Sequence, residues 1–211
     1  MNRFVTAVRN SISEKNWLAA LAMALTLPDI CANIEGTEGK PAEKYKTWFD
    51  KNLKHIYLGG AAGQEPLLSG SDCYALRCSY LHDGSESPGD HHKARQVIKR
   101  YHFREPDFFM HRNRINDTLQ LRVDLFCEEI CTAVEQWENS LLVTSEVQAR
   151  LGSLLFVRKG MEGIAEIGGV VQSMDDAEKE IEMRARKYDM LFGGPPNHTG
   201  APIPDTDPPK A

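Results

Sequence analysis

The sequence has no C-x-x-C pair, no internal repeat and no zinc-ligand spacing among its five cysteines, Cys31, Cys73, Cys78, Cys127 and Cys131. An odd number of unpaired cysteines argues against a disulfide framework and for reduced thiols in a cytoplasmic protein, and no metal site or cofactor is expected. Positive charge is also short: 30 acidic against 25 basic residues leave a net charge of −5. That balance excludes a protein that coats nucleic acid with its whole surface, while leaving room for a local basic site. Hydrophobic content of 41% and charged content of 26% are those of an ordinary globular chain, long enough at 211 residues for one main domain with attachments.

The longest apolar run, LAALAMALTL (18–27), follows Arg3, Arg9 and Lys15 and so mimics a leader segment, with Ala32 as a candidate cleavage residue. It is well short of the ~20 residues that cross a bilayer. Phe4, Val8 and Ile12 recur every four residues, as do Trp17, Leu21 and Leu25, the spacing of helices with one buried face. The run is therefore assigned to the core, and no membrane partner is expected.

Helices are predicted over about Asn2 to Ser13 and Asn16 to Leu27, the second ending where Pro28-Asp29 disturbs the pattern. Pro41 suits the first turn of a third, with Tyr45, Trp48, Phe49 and Ile56 apolar and Gly59-Gly60 as its stop. Ser71 and Asp72 are candidate caps for a fourth, which runs to Gly84, a left-handed terminator. Beyond a loop over 85–94 the helical stripe disappears, and Leu119, Leu121 and Val123 alternate as in a half-buried strand. A small β-hairpin, or three short strands, is expected at about 95–123. Asp124 then opens a helix carrying Phe126, Ile130, Val134 and Trp137. Residues 143–192 read as an accessory segment, with extended structure or a broken helix over 140–172 and then an amphipathic helix with Met174, Ala177, Ile181, Tyr188 and Phe192 on one face. The last stretch, 193–211, holds six of the eleven prolines and reads as a disordered tail.

Chemistry concentrates in ALRCSYLHDG (75–84), where Arg77 and His82 stand five positions apart. On an ideal helix they would lie roughly 140° apart and ~7.5 Å along the axis, on different faces. To reach one phosphate, Arg77 must curl round, the helix must loosen near His82, or a second subunit must supply the other half, which a twofold dimer does readily. Histidine can take the proton of a ribose 2′-hydroxyl or protonate a leaving 5′-oxygen, and arginine offers a permanent fork of donors to the phosphate. Such a pair supports RNA cleavage without metal.

The stretch from Leu76-Arg77 to Leu81-His82-Asp83-Gly84 resembles the R-x4-6-H motif of the HEPN superfamily, and NWLAALAMALTLPDICANIEG (16–36) and DLFCEEICTAVEQW (124–137) resemble its helices more weakly. The resemblance covers about residues 1–142. It implies a helical bundle that dimerises, with Arg77 and His82 catalytic, in a toxin–antitoxin or phage-defence setting where an antitoxin or regulatory protein is a possible partner. Arg95–His102 and Arg104–His111 have similar spacings but fall in the strand-like insert. Active HEPN members usually carry a strongly polar residue after the arginine, and here it is Cys78.

The insert is basic. Lys93, Arg95, Lys99, Arg100, Arg104, Arg112 and Arg114 face only two acids, Glu105 and Asp107, between His91 and Arg114. With Tyr101, Phe103, Phe108 and Phe109 interleaved, these seven are candidate RNA-binding residues, against the plainer reading of a solvated strand face over core aromatics. The sequence thus predicts a mainly α protein: a HEPN-like bundle over 1–142 with a small β insertion, acting as a homodimeric, metal-independent endoribonuclease. Two alternatives stay open, an inactive HEPN-like module that binds RNA or protein, and a purely structural helical dimer.

Overall fold

A computed structural model describes residues 1–59, 65–85, 98, 100–158, 179, 181–184, 186, 187 and 190. The chain is mainly helical, and its contacts divide it into Met1–Leu154 and Leu155–Ala211. In the first unit α1 (Asn2–Ser13) is followed by α2 (Trp17–Glu35), α3 (Pro41–Asn52) and a 3₁₀ turn at Lys54–Ile56. The short strands β1 (Leu58–Gly59) and β2 (Glu65–Pro66) pair antiparallel ahead of α4 (Gly70–Cys78). After α4 come β3 (Arg100–Arg104), β4 (Asn113–Ile115), β5 (Thr118–Arg122), α5 (Val123–Ser140) and α6 (Ser145–Gly152), the last a helix capped by Thr144 where extended structure was the first expectation.

The central element is α2, which packs against α1, α3, α4, α5 and α6. It does not end at Leu27 as its proline suggested. Ala20, Leu21, Ala24, Leu25 and Leu27 are buried before Pro28, and Cys31, Ala32 and Ile34 after it, so both halves have a surface to cover. Asn16 caps its start by accepting the Ala19 N–H at 3.3 Å. Gly36, at φ +82°, ends it, with its own N–H on Asn33 O and that of Thr37 on Ala32 O. By length and composition alone α2 would pass for a membrane span; here half of its apolar window is buried inside the fold.

The insert holds three strands in the order β3-β5-β4. β4 and β5 form the expected hairpin through Asn116-Asp117, and β3 adds to the other side of β5 in parallel. Tyr101, Leu119 and Leu121 are buried, and Phe103 packs on Phe126 of α5 at a ring separation of 5.5 Å. The five cysteines are buried free thiols. In the second unit residues 179, 181–184, 186, 187 and 190 are helical, and Arg186 pairs with Glu182 one turn away at 2.7 Å. Most of the expected apolar stripe there, Met174, Ala177, Tyr188 and Phe192, lies outside the described residues, as does the proline-rich tail.

β5 runs directly into α5, and Arg122 at the junction holds Asp124 in the first helical turn, Nη2 to Oδ2 at 2.6 Å. Burial alone would raise the pKa of Asp124, but the Arg122 and backbone hydrogen bonds outweigh it and lower it. A carboxylate with a depressed folded pKa contributes stability above its unfolded pKa, near 3.9, and loses it as the pH falls through the folded value. Asp124→Asn is expected to cost roughly 1 kcal/mol at neutral pH. The gap to wild type should close below the ordinary carboxylate range in urea melts. A gap independent of pH would show that the charge of Asp124 is not what stabilises the junction.

Candidate functional site

α4 begins at Ser69, two residues before the expected cap. Ser69 Oγ accepts the Asp72 N–H at 3.2 Å, while Asp72 Oδ2 accepts the Ser69 N–H at 3.2 Å, a reciprocal capping box. Asp72 also ties α4 to the insert, because its carbonyl accepts the Tyr101 hydroxyl at 2.6 Å. At the other end the helix changes pitch. Ser79–Asp83 form a π-helical turn, closed by Gly84 at φ +64° with Gly84 N–H on Tyr80 O and Ser85 N–H on Ser79 O, both 3.1 Å. The buried Ser79 hydroxyl donates back to Ala75 O at 2.9 Å, a contact that competes with the helical ladder at the step where the pitch changes.

The widened turn brings Arg77 and His82 together. Because the helix widens after Cys78, the five residues from Arg77 to His82 come closer to one full turn than they would on a regular α-helix. Arg77 Nη1 lies 3.5 Å from His82 Nε2, at the outer limit of hydrogen bonding. A guanidinium has no acceptor, so this contact needs the lone pair of Nε2 and hence the base form of the imidazole, with its proton on Nδ1. His82 is exposed, whereas Cys78 is buried.

Behind the pair stands Asp29 of α2, which accepts a hydrogen bond from Arg77 Nε at 3.2 Å, the two side chains being 24% and 22% exposed. Burial lowers the Arg77 pKa, but the Asp29 charge and the Cys78 contact more than reverse this and raise it. For Asp29 the balance goes the other way: burial raises its pKa by more than Arg77 lowers it. The pair is therefore held in a poorly hydrated place at the expense of the carboxylate. Asp29 is the one charged residue between Lys15 and Glu35, and a single charge in an otherwise apolar helix needs a partner, a signal the sequence carried.

The basic insert does not present all its cations to solvent. Lys93, Arg95 and Lys99 lie outside the described residues. Arg100 and Arg104 are exposed, and Arg104 stacks on the Phe108 ring at 5.2 Å, beside the 84% exposed Phe109. Arg114 is 3.9 Å from Glu65. Arg112 is bound inward: its Nη1 donates to Ile56 O at 2.6 Å and its Nε lies 3.5 Å from Glu129 Oε1. Glu129 is a hub that also accepts the Tyr57 hydroxyl and His111 Nε2–H, the latter at 3.0 Å. Because the Arg122 N–H donates to His111 Nδ1 at 3.0 Å, the proton of the neutral ring must sit on Nε2. Tyr101 is fully buried in the core and is not a base-stacking surface, while Phe103 is half-buried and packs against the core.

No family model matches the chain, and neither does any curated protein or solved structure.

Arg112 occupies φ +56°, a strained region for a residue with a Cβ. Arg112→Ala should lose roughly 1–3 kcal/mol, because Ile56 O and Glu129 lose a charged donor. Arg112→Gly should recover about 1 kcal/mol of that by releasing the backbone. Arg100→Ala, on an exposed position, should stay within about 0.5 kcal/mol of wild type. Chemical denaturation checks all three, and equal stabilities for the alanine variants would remove Arg112 from the structural network.

Proposed function

We propose that the chain is a metal-independent endoribonuclease of HEPN type that works as a homodimer. The observation that supports it is the 3.5 Å approach of Arg77 Nη1 to His82 Nε2 on an exposed helix end, with Asp29 behind the arginine. On this reading His82 Nε2 takes the proton of the 2′-hydroxyl. The freed oxygen bonds to the adjacent phosphorus, and the bond from phosphorus to the 5′-oxygen breaks. Arg77 donates to the non-bridging oxygens as charge builds on them. The leaving oxygen needs a proton, and His82 of a second copy can supply it, which is the chemical reason for a dimer. The products are a 2′,3′-cyclic phosphate and a 5′-hydroxyl, and DNA is spared. Asp29 is a positioning residue: it acts through Arg77 by holding Nε, so that the Nη edge faces outward. The buried thiols fit a reducing cytoplasm, and a toxin–antitoxin or phage-defence role, with an antitoxin or regulatory protein as a further partner, is the setting we infer.

A second reading has its own observation, the buried Cys78 beside the motif arginine where a polar side chain would aid catalysis. It makes the chain an inactive HEPN-like module that binds RNA or protein, or a structural helical dimer.

Cleavage separates the two. His82→Ala and Arg77→Ala should each lower RNA cleavage by about two orders of magnitude or more, with RNA affinity falling less for His82→Ala. Asp29→Asn should lower kcat by about tenfold through a misplaced Arg77. EDTA should have no effect. Melting curves of the same proteins guard against loss of fold, since a histidine at a helix C-terminus also meets the dipole. Wild type that leaves a broad panel of RNAs intact, or His82→Ala that cuts normally, would make the inactive module the correct account.

A further inference from the structure

α3 and α4 approach unusually closely at one point. A Cβ added to Gly70 would stand 2.5 Å from the Lys46 carbonyl oxygen, so the first turn of α4 rests on the α3 backbone at Lys46. The Gly70 N–H donates to Asp50 Oδ1 of α3 at 2.8 Å, which fixes the rotation of α4 against α3. One turn further along α4, on the same face as Gly70, comes Tyr74, and the Lys46 ammonium lies 5.8 Å from its ring centroid. The buried Tyr45 meets the Tyr74 ring at 5.4 Å and 64°, so the ring is braced from the core side while its residue remains partly exposed. Arg77 follows three residues later, ~4.5 Å along the axis and on a neighbouring face. Lys46, Tyr74, Arg77 and His82 thus form a continuous surface from α3 to the π-helical turn.

We propose that Lys46 and Tyr74 form the substrate subsite next to the scissile phosphate, Tyr74 stacking on an unpaired base and Lys46 holding the neighbouring phosphate, which makes the substrate single-stranded RNA. This assignment rests on the ribonuclease reading of Arg77 and His82. A braced aromatic ring beside a phosphate-binding arginine suits a splayed-out base, and a duplex keeps its bases stacked on one another. Lys46 is available for the phosphate because a cation near 6 Å from a partly exposed ring is only weakly held, so exchanging the ring for a phosphate gives up little. The hydroxyl of Tyr74 has no part in the stacking. Burial foremost, then Cys78, keeps it protonated.

The test uses the full chain and short single-stranded oligo(A) and oligo(U). Tyr74→Ala should raise KM about tenfold with kcat little changed, more for oligo(A), whose bases stack more strongly. Tyr74→Phe should restore the wild-type KM, which a role for the hydroxyl would not allow. Lys46→Ala should raise KM severalfold and reduce the logarithmic salt slope of binding by about 0.7. Binding of the same oligomers to a His82→Ala background should follow the same order, with duplex RNA competing poorly. Tyr74→Leu, which keeps bulk against Tyr45, replaces Tyr74→Ala if the latter melts early. Normal cleavage with a KM indifferent to both residues overturns the subsite and leaves the ribonuclease intact. Tyr74-dependent binding by a wild type that cuts nothing overturns the ribonuclease and leaves a single-strand binding surface. Neither cleavage nor binding overturns both.

Discussion

α2 has to run unbroken through a proline. An interior proline removes the hydrogen bond to the carbonyl four residues earlier and costs a helix about 3 kcal/mol. The expense is met because α2 is apolar on all sides and is covered by α1, α3, α4, α5 and α6, so stopping at Leu27 would leave Cys31, Ala32 and Ile34 without a place in the core. Its C-terminus is secured by Arg150 of α6, whose guanidinium donates to Ile34 O at 2.9 Å and lies against Gly36. The continuity of α2 decides where Asp29 lies. In a helix that ended at Leu27, Asp29 would sit in a hydrated loop; in this one it is carried into the α4 interface and must find a cation.

That cation is the motif arginine, and the change of pitch after it completes the site. α4 is regular as far as Cys78 and then widens, so the element that presents Arg77 is rigid and the element that presents His82 is one π-helical turn with a glycine at its end. Gly84 serves there through its backbone alone. A Cβ would meet nothing within 4 Å, and only the left-handed φ of +64° favours glycine. Both side chains come from one stretch of ten residues, and the fixed partner of the pair comes from another helix.

The regular parts of this fold were legible. Phe4, Val8 and Ile12 mark α1, Phe126, Ile130, Val134 and Trp137 mark α5, and Leu119 and Leu121 alternate on the central strand, each period being imposed by one buried face. What escaped depends on non-local pressure or on backbone register. Burial of Ile34 against neighbouring helices overrides Pro28, and no local pattern reports that. The step from i→i+4 to i→i+5 after Cys78 leaves no mark in residue type, so a loosened helix near His82 stayed one of three open routes by which Arg77 and His82 could meet. The parallel addition of β3 to β5 and the gathering of Tyr57, His111, Arg112 and Glu129 join positions up to 72 apart in sequence, which spacing cannot show. Asp29 was legible in principle, as a lone charge in an apolar helix. Of the basic insert, the sign of the charge could be read but not its direction, and Arg112 turns inward to a carboxylate.

The electrostatics of Asp29 and Arg77 bear on why the pair exists. A buried ion pair forms at a net gain only when attraction and hydrogen bonds exceed the loss of hydration on both partners. Here they do so for the guanidinium and fail to for the carboxylate, whose pKa rises on folding despite the arginine beside it. By the sign of linkage, that carboxylate favours the folded chain most when protonated and favours it less as the pH climbs through its raised pKa. Near neutral pH the charged Asp29 is therefore a poor source of stability by its own titration, although a neutral replacement would leave the half-buried guanidinium of Arg77 without its counter-charge. What a charged carboxylate adds is direction. It fixes Nε of Arg77 on the core side and turns the Nη edge toward His82 and solvent. On the proposed reading an arginine that must meet a phosphate needs that orientation before the substrate arrives, because an interaction organised in advance loses least when charge builds in the transition state.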